Sequence, residues 1–222
     1  MRTGVSAGWI GGVLMGVGAT SVVVGLVAMT DPTRESERPE VQTVPPRQVP
    51  LTLEEIARIE PALARIDWLV GQWDGTGDLK TTPGRTDPAY AAWSGPWHVT
   101  RSFEGRYLRL EFSARVSPGA SGEAARDVRY AGYITYDPRR ERYRSIWLNP
   151  DRNETFRESG SIDEAGVLTM MRSQRDLPPG ATEVRSVFSR PAGGGIRVQD
   201  DEYDPDAREW TRSFRFDLTP RR

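Results

Sequence analysis

From Asp67 to Leu218 the chain is a succession of short runs in which aromatic and β-branched residues alternate with polar ones. An apolar–polar period of two marks strands with one face on a core and the other in water. The stretch Val128 to Met171 shows the pattern best, because Asp-Pro, Asn-Pro and Asp-Glu-Ala-Gly turns separate its runs, as in an antiparallel meander. Strands are expected near 68–80, 97–104, 106–116, 128–137, 142–149, 154–162, 166–174, 182–190, 195–203 and 208–218, with a longer loop from Thr81 to Gly95. Strands of this number with almost no helix between them exclude a doubly wound fold and predict an all-β, antiparallel up-and-down barrel of about ten strands. On the last strand, Trp210, Phe214, Phe216 and Leu218 are expected on the core face.

The pattern changes toward the N-terminus. Thr52-Leu-Glu-Glu55 matches a capping box, and Ile56, Ile59, Leu63 and Ile66 recur at helical spacing. Pro61 must end or restart that helix, so one or two short helices should cover one end of the barrel. Residues 31–50 are Pro-rich and charged, without apolar periodicity, and read as a disordered linker. Residues 1–30 form a membrane-targeting segment: Val5 to Met29 is free of charge and, as a helix, roughly 37 Å long. Its length and the Leu at the upstream position of Leu26-Val27-Ala28 favour a retained transmembrane anchor over a cleaved signal peptide. Arg2 before it and Asp31, Glu35, Glu37 and Glu40 after it place the N-terminus inside and the barrel, residues 51–222, outside the cytoplasm. Gly4, Gly8, Gly12 and Gly16 form a stripe suited to homodimerisation, although Gly is also common in export segments.

Composition narrows the chemistry. Among 222 residues, 30 basic and 31 acidic side chains leave a net charge of -1, too little to gather nucleic acid. Lys80 is the only lysine, a bias of coding composition rather than of function. Without cysteine there is no disulfide, thiolate nucleophile or Cys-ligated metal, and the single histidine, His98, excludes multi-His metal sites. Asp200, Asp201, Glu202, Asp204 and Asp206 lack EF-hand spacing and read as a solvated hairpin end rather than a calcium site. Asn153-Glu-Thr155 fits a glycosylation sequon, which has meaning only in a glycosylating pathway. Tyr136 to Tyr143 (YDPRRERY) and Tyr203 to Trp210 (YDPDAREW) echo each other as repeated hairpin chemistry.

Strand parity then proposes a site. If the Asp137 to Arg142 turn sets Tyr136 opposite Tyr143, Ile134 faces Ser145 and Gly132 faces Trp147, where the absent side chain makes room for the indole. The same register through the next turn puts Phe156 beside Trp147 and brings Glu158 inward near Ser145 and Tyr143. A slip of one residue would turn Glu158 to solvent instead. An inward carboxylate needs a partner, and Arg185 on a later strand is the candidate, so Tyr143, Trp147, Glu158 and Arg185 form the expected ligand-binding set.

Gly71-Gln-Trp73-Asp-Gly75-Thr-Gly77, Gly132-Tyr-Ile-Thr-Tyr136-Asp137, Tyr143-Arg-Ser-Ile-Trp147, Glu158-Ser-Gly160-Ser-Ile-Asp163 and the Arg185 strand together resemble a bacterial calycin-like family of unknown function, the domain of unknown function 1579 type. The first motif is also similar to the Gly-x-Trp signature of lipocalins and to the opening strand of nitrobindins. The resemblance spans about Ile66 to Leu218 and implies a lipocalin-like barrel with a central cavity and no established activity. It further implies barrel closure by Gly71 and Trp73, with Trp73 against an arginine of the last strand, for which Arg212 is the candidate. Nitrobindin-like haem binding is not expected, because that family's axial histidine lies on a late strand and His98 lies on an early one. No cofactor or metal is expected. Three function classes follow: a non-enzymatic barrel binding a small apolar or amphipathic ligand, a hydrolase or isomerase using Glu158 or His98 as general base, and an interaction domain with a filled core. Cavity size separates them.

Overall fold

The computed structural model describes residues 49–80, 90–118, 124–178 and 180–222. The expected anchor, its glycine stripe and nearly all of the linker lie outside the described residues. Ten antiparallel strands follow in chain order: β1 (Gly71–Lys80), β2 (Tyr90–Ser102), β3 (Tyr107–Val116), β4 (Arg126–Asp137), β5 (Arg142–Asn149), β6 (Glu154–Ile162), β7 (Leu168–Arg172), β8 (Val184–Ser189), β9 (Ile196–Asp204) and β10 (Glu209–Pro220). Each pairs with its neighbours in sequence, and β1 pairs with β10 to close the barrel, which leaves no edge strand among the described residues. The glycines of the first motif permit that closure: a Cβ on Gly75 would fall 2.1 Å from the Phe216 ring on β10.

Burial follows the predicted alternation. Along β5, Tyr143, Ser145, Trp147 and Asn149 are buried while Arg142, Arg144, Ile146 and Leu148 are exposed. The pairs Gly132↔Trp147, Ser145↔Glu158 and Trp147↔Phe156 stand in the expected register. The hairpin echo is also physical. Asp137 Oδ1 accepts from the backbone N–H groups of Arg139 and Arg140, and Asp204 Oδ1 accepts from those of Asp206 and Ala207. Both turns then place a residue with positive φ before the returning strand, Glu141 at 51° and Arg208 at 55°.

Two expectations about strands need correction. β2 begins at Tyr90, so part of the expected Thr81–Gly95 loop is strand. Ala91 and Trp93 are buried and paired with Leu79 and Gly77, whereas Gly95 and Pro96 read as breakers. Pro96 is tolerated because the ladder to β3 passes from Ser94↔Arg115 to Trp97↔Phe112 without it. On β10 a bulge between Arg212 and Phe214 reverses the faces, so Phe214 points inward while Trp210 lies outside against Tyr203.

Two short helices cap one end. Helix α1 (Leu53–Ala57) starts on a reciprocal capping box in which Glu55 N donates to Thr52 Oγ1 at 3.2 Å and Thr52 N donates to Glu55 Oε2 at 2.7 Å. Helix α2 (Ile59–Ala64) restarts with Pro61 in its first turn, where the missing N–H costs no hydrogen bond. Ile59, Leu63 and Ile66 belong to one buried cluster with Val99, Leu108, Leu110, Ile134, Leu168 and Leu218, and this half of the barrel is filled. Among the described residues no helix is long and apolar enough to cross a membrane.

Candidate functional site

The opposite half of the barrel is hollow. A cavity of about 640 Å³ opens at the end where β1 leaves and β2 returns, within the size range of small-molecule sites. One wall is an aromatic column: Trp97 stacks on Phe112 at 4.3 Å, and Phe112 on Tyr130 at 4.9 Å. Trp93 and Phe214 extend it at 5.2 Å edge to face. Each of these residues occupies an inward position of its strand, so the period-two pattern alone assembles the wall.

Polar groups gather on the facing wall. The Glu158 carboxylate is fully covered and accepts from Ser145 Oγ at 3.0 Å, Trp147 Nε1 at 3.0 Å and Ser186 Oγ at 2.7 Å. Its partner cation is Arg172 on β7, whose Nη2 lies 3.5 Å from Glu158 Oε1 and 3.3 Å from Asp200 Oδ2 on β9. The Arg172 guanidinium also rests 3.9 Å over the Phe156 ring. One guanidinium therefore serves two carboxylates. Burial, the foremost cause, raises both carboxyls above their ordinary range, and Asp200 adds its charge repulsion at Glu158. Arg172 and the Ser186 hydroxyl pull both carboxyls down without reversing that direction. Asp200 keeps 22% of its side chain exposed while Glu158 keeps none. Burial likewise raises the Tyr130 phenol. Three buried donors near this space have no protein partner among the described residues: Trp93 Nε1, Trp97 Nε1 and Arg172 Nε.

The structure brings together only part of the set expected from the sequence. Trp147 lines the cavity and Glu158 lies inside the barrel, as strand parity required. Glu158 does not reach the cavity surface; it sits behind Trp147, Ser186 and Arg172 and holds all three. Arg185 is not its partner. It occupies an outward position of β8, bonds Asp201 at 2.9 Å and lies 4.3 Å over the Trp210 ring on the outer wall. Tyr143 belongs to the filled end, where its hydroxyl donates to the Ala62 carbonyl at 2.6 Å and fastens α2.

Trp73 and Arg212 do not meet. Trp73 pairs with Pro220, eight positions along β10 from Arg212, or roughly 26 Å of strand. Its indole Nε1 instead donates to the Leu69 carbonyl at 3.0 Å, which ties the first strand to the preceding turn. Gly71, at φ +150°, allows the chain to enter that strand beside the indole. Arg212 sits outside, 3.3 Å from Asp78 and 5.0 Å over the Tyr90 ring, because the bulge removed it from the inward phase.

His98 is exposed on the outer face of β2, opposite Gln72 and Glu111, and is not part of the cavity. The acidic run is not uniformly solvated either. Asp200 points inward to Arg172, and Asp201 is buried outside beneath Arg185.

Arg172 and Asp200 were the residues missed by sequence reasoning, and both carried a signal. Continuing the register through the Asp163–Gly166 turn pairs Ile162 with Leu168 and hence Glu158 with Arg172. Asp200 shares the inward phase of Ile196 and Val198, hidden within a run of acids. The fold and site define an antiparallel ten-stranded barrel with an aromatic, one-ended cavity over a carboxylate–guanidinium–carboxylate trio. Comparison with protein-family models and with curated proteins gives no match.

Proposed function

We propose that this chain is a non-enzymatic, calycin-like binding protein that takes one small apolar or amphipathic molecule into its barrel, tethered outside the cytoplasm by its N-terminal segment. The observation that carries the reading is the 640 Å³ cavity with aromatic walls and a polar trio at one side. Rings supply most of the contact area, and a few convergent polar groups supply orientation. The filled-core alternative leaves that volume unexplained. The general-base alternative loses both of its candidates, because His98 faces away from the cavity and Glu158 is sealed behind its donors. The tether rests on the uncharged stretch from Val5 to Met29.

The neutral fluorophore N-phenyl-naphthylamine tests the reading. It should bind the full chain saturably with one-to-one stoichiometry and accept energy from the cavity tryptophans. Val198→Trp, which adds an indole to the cavity lining, should abolish that signal while the far-ultraviolet spectrum is retained. Binding that is non-saturable, or indifferent to Val198→Trp, rejects the cavity as the site.

A further inference from the structure

We infer that the preferred ligand carries a protonated amine on an apolar, ring-bearing body, with the ammonium seated against Asp200 among the aromatic faces. This rests on the cavity being a binding site. Among the described residues at the cavity rim, Lys80, Arg152 and Arg175 balance Glu154, Asp176 and Glu202, three charges of each sign. Among the described residues the inner wall is not balanced: one guanidinium, Arg172, faces both Glu158 and Asp200. A ligand cation supplies the missing positive charge, whereas a ligand anion would compete with two carboxylates already drawing on the same guanidinium.

Asp200 is the carboxylate positioned to receive it. It lines the cavity and remains partly open to it, while Glu158 is closed off by its three hydrogen-bond donors. The surrounding surface suits a cation as well, since the aromatic rings of Trp93, Trp97, Tyr130 and Phe214 line the cavity. Arg172 over Phe156 shows one cation already held in this way.

Three probes with one ring system separate charge from shape: pyrenemethylamine, which is protonated near neutral pH, the neutral pyrenemethanol, and the anionic pyrenecarboxylate. Each is titrated into the full chain and followed by tryptophan quenching. The ammonium should bind about tenfold tighter than the alcohol, or ~1.4 kcal/mol, and the carboxylate weakest. Asp200→Asn should bring the ammonium-to-alcohol ratio to near one while alcohol binding persists, which also reports that the barrel is intact. If that variant does not fold, the wild-type ratio measured against pH serves instead. It should fall toward one under acid, as Asp200 and Glu158 beside Arg172 take up protons while the probe stays charged. A probe set that binds with the alcohol or carboxylate preferred, or a ratio unmoved by Asp200→Asn and by pH, overturns the ammonium inference and leaves the binding site standing. If no probe saturates, the binding reading itself falls.

Discussion

Replacing Glu158 separates its charge from its hydrogen bonds. In Glu158→Ala, the Trp147 indole N–H and the Ser145 and Ser186 hydroxyls lose their acceptor and Arg172 loses one of two counter-charges, all in the barrel interior. A stranded buried donor costs about 1–3 kcal/mol, and breaking a buried pair about 3–5 kcal/mol. These losses overlap because they concern one carboxylate, so the variant should lose about 3–5 kcal/mol.

Glu158→Gln keeps the shape. Its carbonyl can take the position that serves Trp147 and Ser145, and its NH₂ can donate to a rotated Ser186 hydroxyl, leaving only Arg172 facing a donor. The cost should be about 1–2 kcal/mol. Its pH dependence has a definite sign. Because the folded barrel raises the Glu158 carboxyl, the stability this group contributes is present below the ordinary carboxylate range and is lost as pH rises through the folded value. Glutamine lacks that titration, so the cost of Glu158→Gln should shrink as pH rises. Denaturant unfolding read by tryptophan fluorescence, repeated at acid and alkaline pH, measures all three quantities. A Glu158→Ala midpoint within error of wild type, or a Glu158→Gln cost that grows with pH, would refute the buried network.

Gly132→Ala should cost about 1–3 kcal/mol by overpacking, because a Cβ there falls 2.5 Å from the Trp147 ring; Gly193→Ala, with nothing within 4 Å, should be near neutral in the same unfolding assay. Tyr143→Phe should cost about 1 kcal/mol through the lost bond to Ala62 and speed amide exchange in α1 and α2, whereas unchanged exchange would deny that this hydroxyl fastens the helices. Arg139 and the Thr52 cap hold the Glu55 carboxyl at about 2, so exchange protection of α1 should be present above the ordinary carboxylate range and be lost as pH falls toward that value. Glu55→Gln should remove this acid dependence.

Strand number, meander order and the inward row from Gly132 through Trp147 to Glu158 were legible because period-two alternation and Asp-Pro turns are local signals. What was not legible depended on where the phase breaks. The bulge in β10 moved Trp210 and Arg212 to the outer wall, and nothing around Ser213 announces an extra residue. Likewise Arg185 and Arg172 are both arginines of later strands that a carboxylate could recruit. The short turn after β6 decides between them, since it places β7 beside Glu158 and leaves Arg185 in the outward phase of β8. Tyr143 carried the correct parity but the wrong height, because alternation tells which face a residue takes and not which end of the barrel is filled.

Native mass spectrometry of the full chain isolated from its own host shows whether a small molecule occupies the barrel. A ligand-filled cavity predicts a single non-covalent adduct of small-molecule mass at one per chain, released on unfolding and absent from Val198→Trp. A wild-type chain that travels only at its bare mass, under conditions where an added cavity ligand is retained, would contradict it.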